Sequence, residues 1–433
     1  MRSTFAALRI RNFRLFAAGS LVSNVGTWMQ RVAQDWLVLA LTGSAGALGI
    51  TTGLQFLPIL LFSPIAGVIA DRYSKRRVLA ITQLMMGAAA ALLGVLAITG
   101  WVATWHVYVI AFLFGTATAF DTPTRQAFVN EMVDREQLTN AVGLNSASFN
   151  LGRMIGPAAA GALIAWMGAG VRASGWVILL NAASYGAVIL SLSRMRASEL
   201  TPVERLPRAG GQIRDGVRYV RTRPDIMLVL AVVFCTGTFG LNFQMTTALM
   251  ATDVYGKGAG EYGLLGSILA IGSLAGSLVA ARRRASRQQL VLVAAVAFGA
   301  IEMVAGLMPS YLTFALVLPL CGFAALTVVT AANAFVQMAA DAHMRGRVMA
   351  LYMAIFMGGT PAGAPLLGWV AEHFGARWTL VGGGALTVLG TLVSAAVFAR
   401  RQGVAITPKL LHRSQWGVPH AHATPSTDTP AAA

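Results

Sequence analysis

Residues 46–70 make twenty-five consecutive positions without a charged side chain, and a run of that kind has few places to go. Coiled as an α-helix it extends about 37 Å at 1.5 Å per residue, longer than the roughly 30 Å of hydrocarbon in a bilayer. Backbone polar groups in lipid have to bond one another, and a helix does so within a single segment. Residues 78–100, 225–251 and 377–399 repeat the pattern with at most one charge each. A water-facing coat is missing as well: 11% of the 433 residues are charged and 56% are hydrophobic, against roughly 25% charged in soluble domains. The chain reads as an all-α membrane protein of many spans whose outer surface is covered by lipid.

Apolar runs separated by turn-rich breaks predict twelve spans, at about 14–41, 46–70, 78–99, 105–125, 140–167, 174–194, 225–251, 261–281, 289–308, 311–336, 347–371 and 377–399. An even number places both ends on one side. Of the 33 Lys and Arg, 28 fall in one set of gaps, three (Arg172, Lys257 and Arg377) in the other, and two (Arg31 and Arg153) within spans. Cytoplasmic loops gather such residues, so both termini are expected in the cytoplasm, with the chain in the plasma or inner membrane. Trp101, Trp105, Trp166, Trp176, Trp369 and Trp378 flank the opposite breaks, where interfacial rings belong. The net charge of +17 is then a matter of topology, and no basic soluble face for nucleic acid is expected. The first span lacks a small-residue cleavage site behind it and reads as an uncleaved membrane signal.

Four regions are expected: a six-helix bundle over 1–194, a cytoplasmic linker over 195–224, a second six-helix bundle over 225–400, and a disordered cytoplasmic tail over 401–433. In the linker, Ile213, Val217 and Val220 share one helical face and Arg214, Arg218 and Arg221 another. That pattern fits a short helix on the inner leaflet, or alternatively a solvated connector. An internal repeat supports the two bundles. Residues 127–169 laid on 334–376 give 12 identities in 43, among them Asp134/Asp341, Gly152/Gly359, Gly156/Gly363, Gly161/Gly368 and Gly168/Gly375. Parallel repeats about an axis along the membrane normal are a transporter architecture, with the site between the halves near the midplane.

Two motifs carry more specific meaning. "GVIADRYSKRRVL", residues 67–79, joins spans two and three on the basic side. Gly67 permits close helix approach, and Asp71 sits among Arg72, Lys75, Arg76 and Arg77. A carboxylate among cations at a loop can latch to a neighbouring helix, while positive-inside topology alone accounts for the cations but not for Gly67 or Asp71. "GRMIGPAAAG", residues 152–161, sets Gly152, Gly156 and Gly161 for close backbone packing, with Pro157 bending the helix.

The first motif resembles the major facilitator superfamily's signature G-x-L-A-D-R-x-G-R-K-x-x-L, with Ile69 for Leu, Ser74 for the second Gly and Lys75 for Arg. A worn copy lies between spans eight and nine, where Ala275, Gly276 and Arg284 align with Ala66, Gly67 and Lys75 but Ala280 replaces Asp71. The second motif is similar to G-x-x-x-G-P-x-x-G-G, which marks exporters in that superfamily; Ala160 is the departure. The resemblance implies a twelve-span fold in two pseudo-symmetric bundles. It also implies a cytoplasmic latch of Gly67, Asp71, Arg72, Lys75 and Arg76. To this "FDTPTRQAF" adds Asp121 and Arg125, with Asp121 expected to meet Arg76 or Lys75. Together with "NFRLFAAGSLVSNVGTWMQ" at 12–30, the pattern looks like the drug:proton antiporter subgroup of enterobactin- and macrolide-exporter-like proteins, also called transmembrane secretion effectors.

Four further charges lie well inside spans: Arg31, Asp35, Arg153 and Glu302. Facing lipid, each would cost about 2.5–3.5 kcal/mol at a helix centre on insertion scales. Three readings stand for Arg31 and Asp35, with Gln34 beside them. They form a permanent ion pair, they reach the outer interface, or they line a wet central cavity that recognises substrate or protons. Arg153 could hold an anionic substrate group or Glu302.

The chain has no phosphate-binding GxxxxGK[ST], no HExxH and no GxSxG. Its six histidines lack metal spacing, and Cys235 and Cys321 both fall in spans. No cofactor, metal or enzymatic chemistry is expected. The expectation is a monomeric secondary transporter that exports a small amphipathic compound (a drug, siderophore or secondary metabolite) against inward-moving protons. An uptake carrier, or a non-transporting sensor or secretion accessory, is the alternative.

Overall fold

The computed structural model describes residues 5–201, 212–283 and 287–401. Arg284, the side chain of Ile213 and the tail past Arg401 lie outside the described residues. Among the described residues every regular element is helical. In the first half these are α1 (Arg11–Thr42), α2 (Ala45–Arg72), α3 (Lys75–Thr99), α4 (Thr104–Met132), α5 (Arg135–Trp166) and α6 (Val171–Ser193). A connecting helix follows, α7 (Gln212–Thr222). The second half holds α8 (Pro224–Cys235), α9 (Phe243–Leu249), α10 (Ala259–Ala281), α11 (Gln288–Gly306), α12 (Tyr311–Ala339), α13 (Arg345–Phe374) and α14 (Ala376–Arg401).

Nine spans among the described residues are long and apolar enough to cross a membrane, with α8 and α9 together forming one of them, Pro224–Val254. The three remaining long helices are α1, α4 and α5, of 32, 29 and 32 residues, which carry the polar and charged side chains discussed below. Twelve spans result. The six flanking tryptophans are all exposed, Trp166 by 81% and Trp101 by 79%. They cluster where α3 meets α4, α5 meets α6 and α13 meets α14. That is the far end; the ends of the described chain, at residues 5 and 401, and the loops rich in Arg mark the basic end.

Local chemistry sets the turns. At the α1–α2 corner Gly43 adopts φ +59°, which a side chain would strain, and Ser44 then caps α2 by accepting from the Ala47 amide at 3.0 Å. Spans four and five run farther toward the basic end than the apolar pattern predicts, because Asp121 and Glu131 are buried against neighbouring helices, with the part-buried Arg125 bonded between Asp121 and Ser20. Arg125 therefore lies inside α4 rather than in a gap. The seventh span is not continuous: π-helical turns at Thr236–Gly240 and Met250–Val254 interrupt it.

In the first half α1 packs on α5 and α6, α2 on α4, and α3 on α4 and α6; in the second, α10 packs on α12 and α11 on α12 and α14. The halves meet along α2–α13 and α5–α10. The internal repeat is physical at this seam. Gly161 of α5 presses on the Ala259 carbonyl and Gly263 of α10, and its repeat mate Gly368 of α13 presses on Ala45, Gly46 and Gly49 of α2. The same residue type does the same job in each half, since only a missing side chain lets two backbones come this close.

The connecting helix α7 has Val220 buried in the core and Arg214, Arg218 and Arg221 exposed. Its other anchors are polar. Asp215 faces Arg347 of α13 at 3.5 Å, and the Tyr219 hydroxyl accepts from the Asp341 amide at 3.1 Å and from Arg223 Nη1 at 2.9 Å. Its apolar face is thus turned onto the second half.

Candidate functional site: the inter-bundle cavity

A polar network positions the α1 side chains. Asn181 of α6 donates to Gln30 Oε1 at 2.5 Å and to the Tyr185 hydroxyl at 3.2 Å, and Tyr185 meets Thr27 at 3.1 Å. Buried polar groups bonded to one another fix a helix in rotation as well as position. On the other side, Gly152 and Gly156 of α5 admit α1: a Cβ on Gly152 would lie 2.8 Å from Asn24, and one on Gly156 would lie 2.6 Å from Trp28. Pro157 sits one residue on, at the seam with α10, where Ser267 Oγ accepts from the Ala158 amide at 3.1 Å. Helix α1 is therefore clamped so that Trp28, Arg31 and Val32 look toward the second half.

They look into a cavity of about 410 Å³ lined by both halves. From the first half come Trp28, Arg31, Val32, Thr52, Phe56, Arg153 and Pro157. The second half contributes a largely apolar wall that includes Leu241, Phe243, Phe356 and Met357. The Arg31 guanidinium lies over the rings of Trp28 (4.8 Å to the centroid) and Phe56 (5.6 Å), and Arg153 lies over Trp28 at 5.8 Å. Among the described residues neither arginine has a carboxylate within 4 Å, and Arg31 Nε makes no hydrogen bond.

Asp35, one turn beyond Arg31, is 2% exposed. Its Oδ2 accepts from Gln244 Nε2 and from the Tyr262 hydroxyl, both at 2.7 Å. Gln244 belongs to α9 and Tyr262 to α10, so this carboxylate of the first half is held by two donors of the second. Arg31 and Asp35 are not an ion pair in this arrangement. Gln34 is buried with its Oε1 unbonded, and it is not part of the cavity wall. Nor is Glu302, which packs in α11 against Gly240 and Gly383 with Oε2 unbonded. The structure does not bring Glu302 to Arg153.

Above Asp35 the far end is shut. Glu372 of α13 accepts from the Gly46 amide at 3.1 Å and from the Ser44 hydroxyl, while Gly49 abuts the Ala364 carbonyl and Gly53 meets Pro365. At the basic end, by contrast, Gly143 of α5 and Gly346 of α13 have no neighbour within 4 Å of where a Cβ would stand.

The latch residues are arranged differently from the expectation. Lys75 is paired with Glu131 at 2.6 Å, both side chains nearly buried. Arg76 donates to the Ser193 carbonyl at 3.2 Å. Asp121 accepts from Thr82 (2.9 Å), Gln83 (2.7 Å) and Arg125 Nε (2.9 Å), and Arg125 also donates to Ser20 at 2.8 Å. Asp121 therefore does not meet Lys75 or Arg76. Its oxygens are taken by a cation one turn along its own helix and by two side chains of α3, while the longer α4 offers Glu131 to Lys75. These bonds all lie within the first half. Gly67 is half-buried in α2, and Asp71 and Arg72 are exposed at its end.

Sequence reasoning missed Gln244, Tyr262 and Glu131. For the first two a weak signal exists: "TGTFGLNFQ", residues 236–244, concentrates glycine and polar residues in an otherwise apolar span, the pointer to an interrupted helix beside a site.

Twelve spans in two bundles around a cavity closed at one end define a membrane transporter of the major facilitator type. The chain belongs to the transmembrane secretion effector family, whose model matches residues 2–415. It is 30% identical over 380 residues to the multidrug efflux pump Tap of Mycolicibacterium fortuitum, covering 85% of this chain and 90% of that protein. It is 37% identical over 153 residues to the staphyloferrin A transporter of Staphylococcus aureus, covering 35% and 38% respectively. The fold is shared with a bacterial homolog of the human lysosomal transporter Spinster, solved inward-facing and unoccupied. The TM-score is 0.68 at 15% identity, over 90% of this chain and 96% of that one.

Proposed function

We propose that this chain is a proton-driven exporter of small amphipathic compounds that works by rocking two bundles, residues 1–194 and 225–400, about the cavity between them. Residues 195–224 tie the units together, one chain encloses the whole pathway, and a monomer suffices. The termini and the basic end face the cytoplasm, on the strength of the 28-to-3 partition of Lys and Arg. The arrangement described above is then inward-facing: shut outside, open inside.

The observation that carries the reading is the Asp35 carboxylate held by Gln244 and Tyr262. When the far end opens, the halves part, both donors leave, and Asp35 meets outside water, where it takes up a proton. When the far end closes, the two donors return. An ionised carboxylate is acceptor-only and suits two donors, whereas the protonated acid must place a hydrogen of its own. In this reading the returning donors displace the proton, which leaves through the cavity toward the basic end. One proton crossing 100 mV supplies about 2.3 kcal/mol, roughly fiftyfold in an equilibrium constant, which is used to move substrate out. The efflux named for Tap agrees with this direction.

The test is uptake into energised everted vesicles, where an exporter accumulates its substrate. With a panel of drugs and siderophores, the native chain should concentrate at least one compound, and collapse of the proton gradient should abolish it. Accumulation in right-side-out vesicles instead would reverse the direction, and flux indifferent to every imposed gradient would refute the coupling.

A further inference from the structure

The charge on the cavity wall is one-sided. Both arginines belong to the first half, the second half contributes no charged residue, and no Asp or Glu lines the space at all. Two guanidiniums share one indole, Trp28, and repel each other across it. Cation–π contact compensates buried charge only in part, and Arg31 Nε stays without any acceptor. The carboxylates that could have served are committed elsewhere: Asp35 to Gln244 and Tyr262, and Glu302 to a pocket between Gly240 and Gly383. Buried charges in folded proteins are paired. Among the described residues no carboxylate stands within ion-pair distance of either guanidinium, and both guanidiniums border a cavity large enough for a ligand.

We propose that the ligand supplies the counter-charge: the cavity selects amphipathic anions, with a carboxylate or related oxyanion bound between Arg31 and Arg153. The planar, always-charged guanidinium fork matches such a group with two parallel hydrogen bonds, and two forks converging on it grip both oxygens. The apolar body of the molecule lies against Leu241, Phe356 and Met357 on the opposite wall. An organic cation of the same size would face two like charges and no acid. This inference names the substrate class of the exporter reading above and rests on it for the role of the cavity.

Equilibrium binding to the purified full-length protein tests it without any gradient, using three probes of one shape: 1-naphthylacetate, 1-naphthylacetamide and 1-naphthylethylammonium. Calorimetry should show the carboxylate binding at least tenfold tighter than the amide, and the ammonium binding weakest. Arg31→Gln and Arg153→Gln should each cut carboxylate affinity about tenfold and leave the amide within twofold. Arg31→Lys and Arg153→Lys, which keep the charge and protect against a folding defect, should retain part of the preference. Excess inorganic phosphate should compete if the head group alone is recognised and should not if the apolar body is needed; either result fits an oxyanion site. No measurable carboxylate binding, equal binding of all three probes, tightest binding of the ammonium, or a preference that survives the double Gln variant would each overturn the proposal. Failure here would leave proton-driven export standing, and a failure of gradient-driven transport would leave this binding result untouched.

Discussion

The two ends of α5 are packed in opposite ways. At the far end Gly161 is pressed onto the Ala259 carbonyl of the other half; at the basic end Gly143 has open space around it. Helix α13 repeats the contrast, with Gly368 against α2 at one end and Gly346 facing nothing at the other. Both helices carry proline between these ends, α5 at Pro157 and α13 at Pro361 and Pro365, where a helical hydrogen bond is lost. The difference teaches where the conformational energy resides. Backbone contact through glycine, the Glu372 bonds to the α2 start, and the Asp35 bonds to α9 and α10 all act at one end. Whatever holds this arrangement must be broken there before the halves can tilt the other way.

Substitutions that break the contrast follow from this, in falling order of effect. Asp35→Asn removes the titrating group while keeping its shape, and gradient-driven export in everted vesicles should disappear with membrane insertion intact. Gly161→Val puts a branched side chain into backbone and should lower transport tenfold or more, whereas Gly143→Val, with nothing within 4 Å of the added Cβ, should stay within twofold of the native rate. Tyr262→Phe deletes one donor to the carboxylate. A hydrogen bond to a charged group contributes about 1.5–3 kcal/mol, so labels across the far end should report an open population raised roughly tenfold or more.

At the basic end the effects fall on stability rather than on transport. Lys75→Ala leaves Glu131 buried without its cation, and breaking a buried pair costs about 3 kcal/mol. The purified protein should unfold at a lower temperature, with Glu131→Gln added to the same chain restoring part of the loss. Asp215→Asn, at the half-exposed contact with Arg347, should change thermal stability by less than about 1 kcal/mol.

How much of this was legible in the sequence varies by the kind of interaction. The spans were, because lipid imposes one rule on every residue of a segment and an apolar run reports it directly. The repeat was too, since Gly161 and Gly368 are constrained by the same backbone approach in each half. Arg31, Asp35 and Arg153 stood out as charges in apolar helices. Their partners did not, because Gln244 and Tyr262 are ordinary polar residues more than two hundred positions from Asp35, and no periodicity links them. The latch motif identified Lys75 and Asp121 but not whom they touch; that depended on how far α4 continues past Arg125. The break in the seventh span was hidden by its high overall apolarity, which an averaged hydropathy cannot separate from a continuous helix.

The central claim is that Asp35 holds the far end shut through the opposite half. The most direct measurement is the distance distribution between spin labels at the exposed Trp101 and Lys257, one on each side of that end, with Cys235 and Cys321 replaced beforehand. The native protein at neutral pH should show a short, narrow distance. Acid, or Asp35→Asn, should move the population to a longer one, and the variant should no longer respond to pH. A short distance that persists in the variant at every pH would contradict the account.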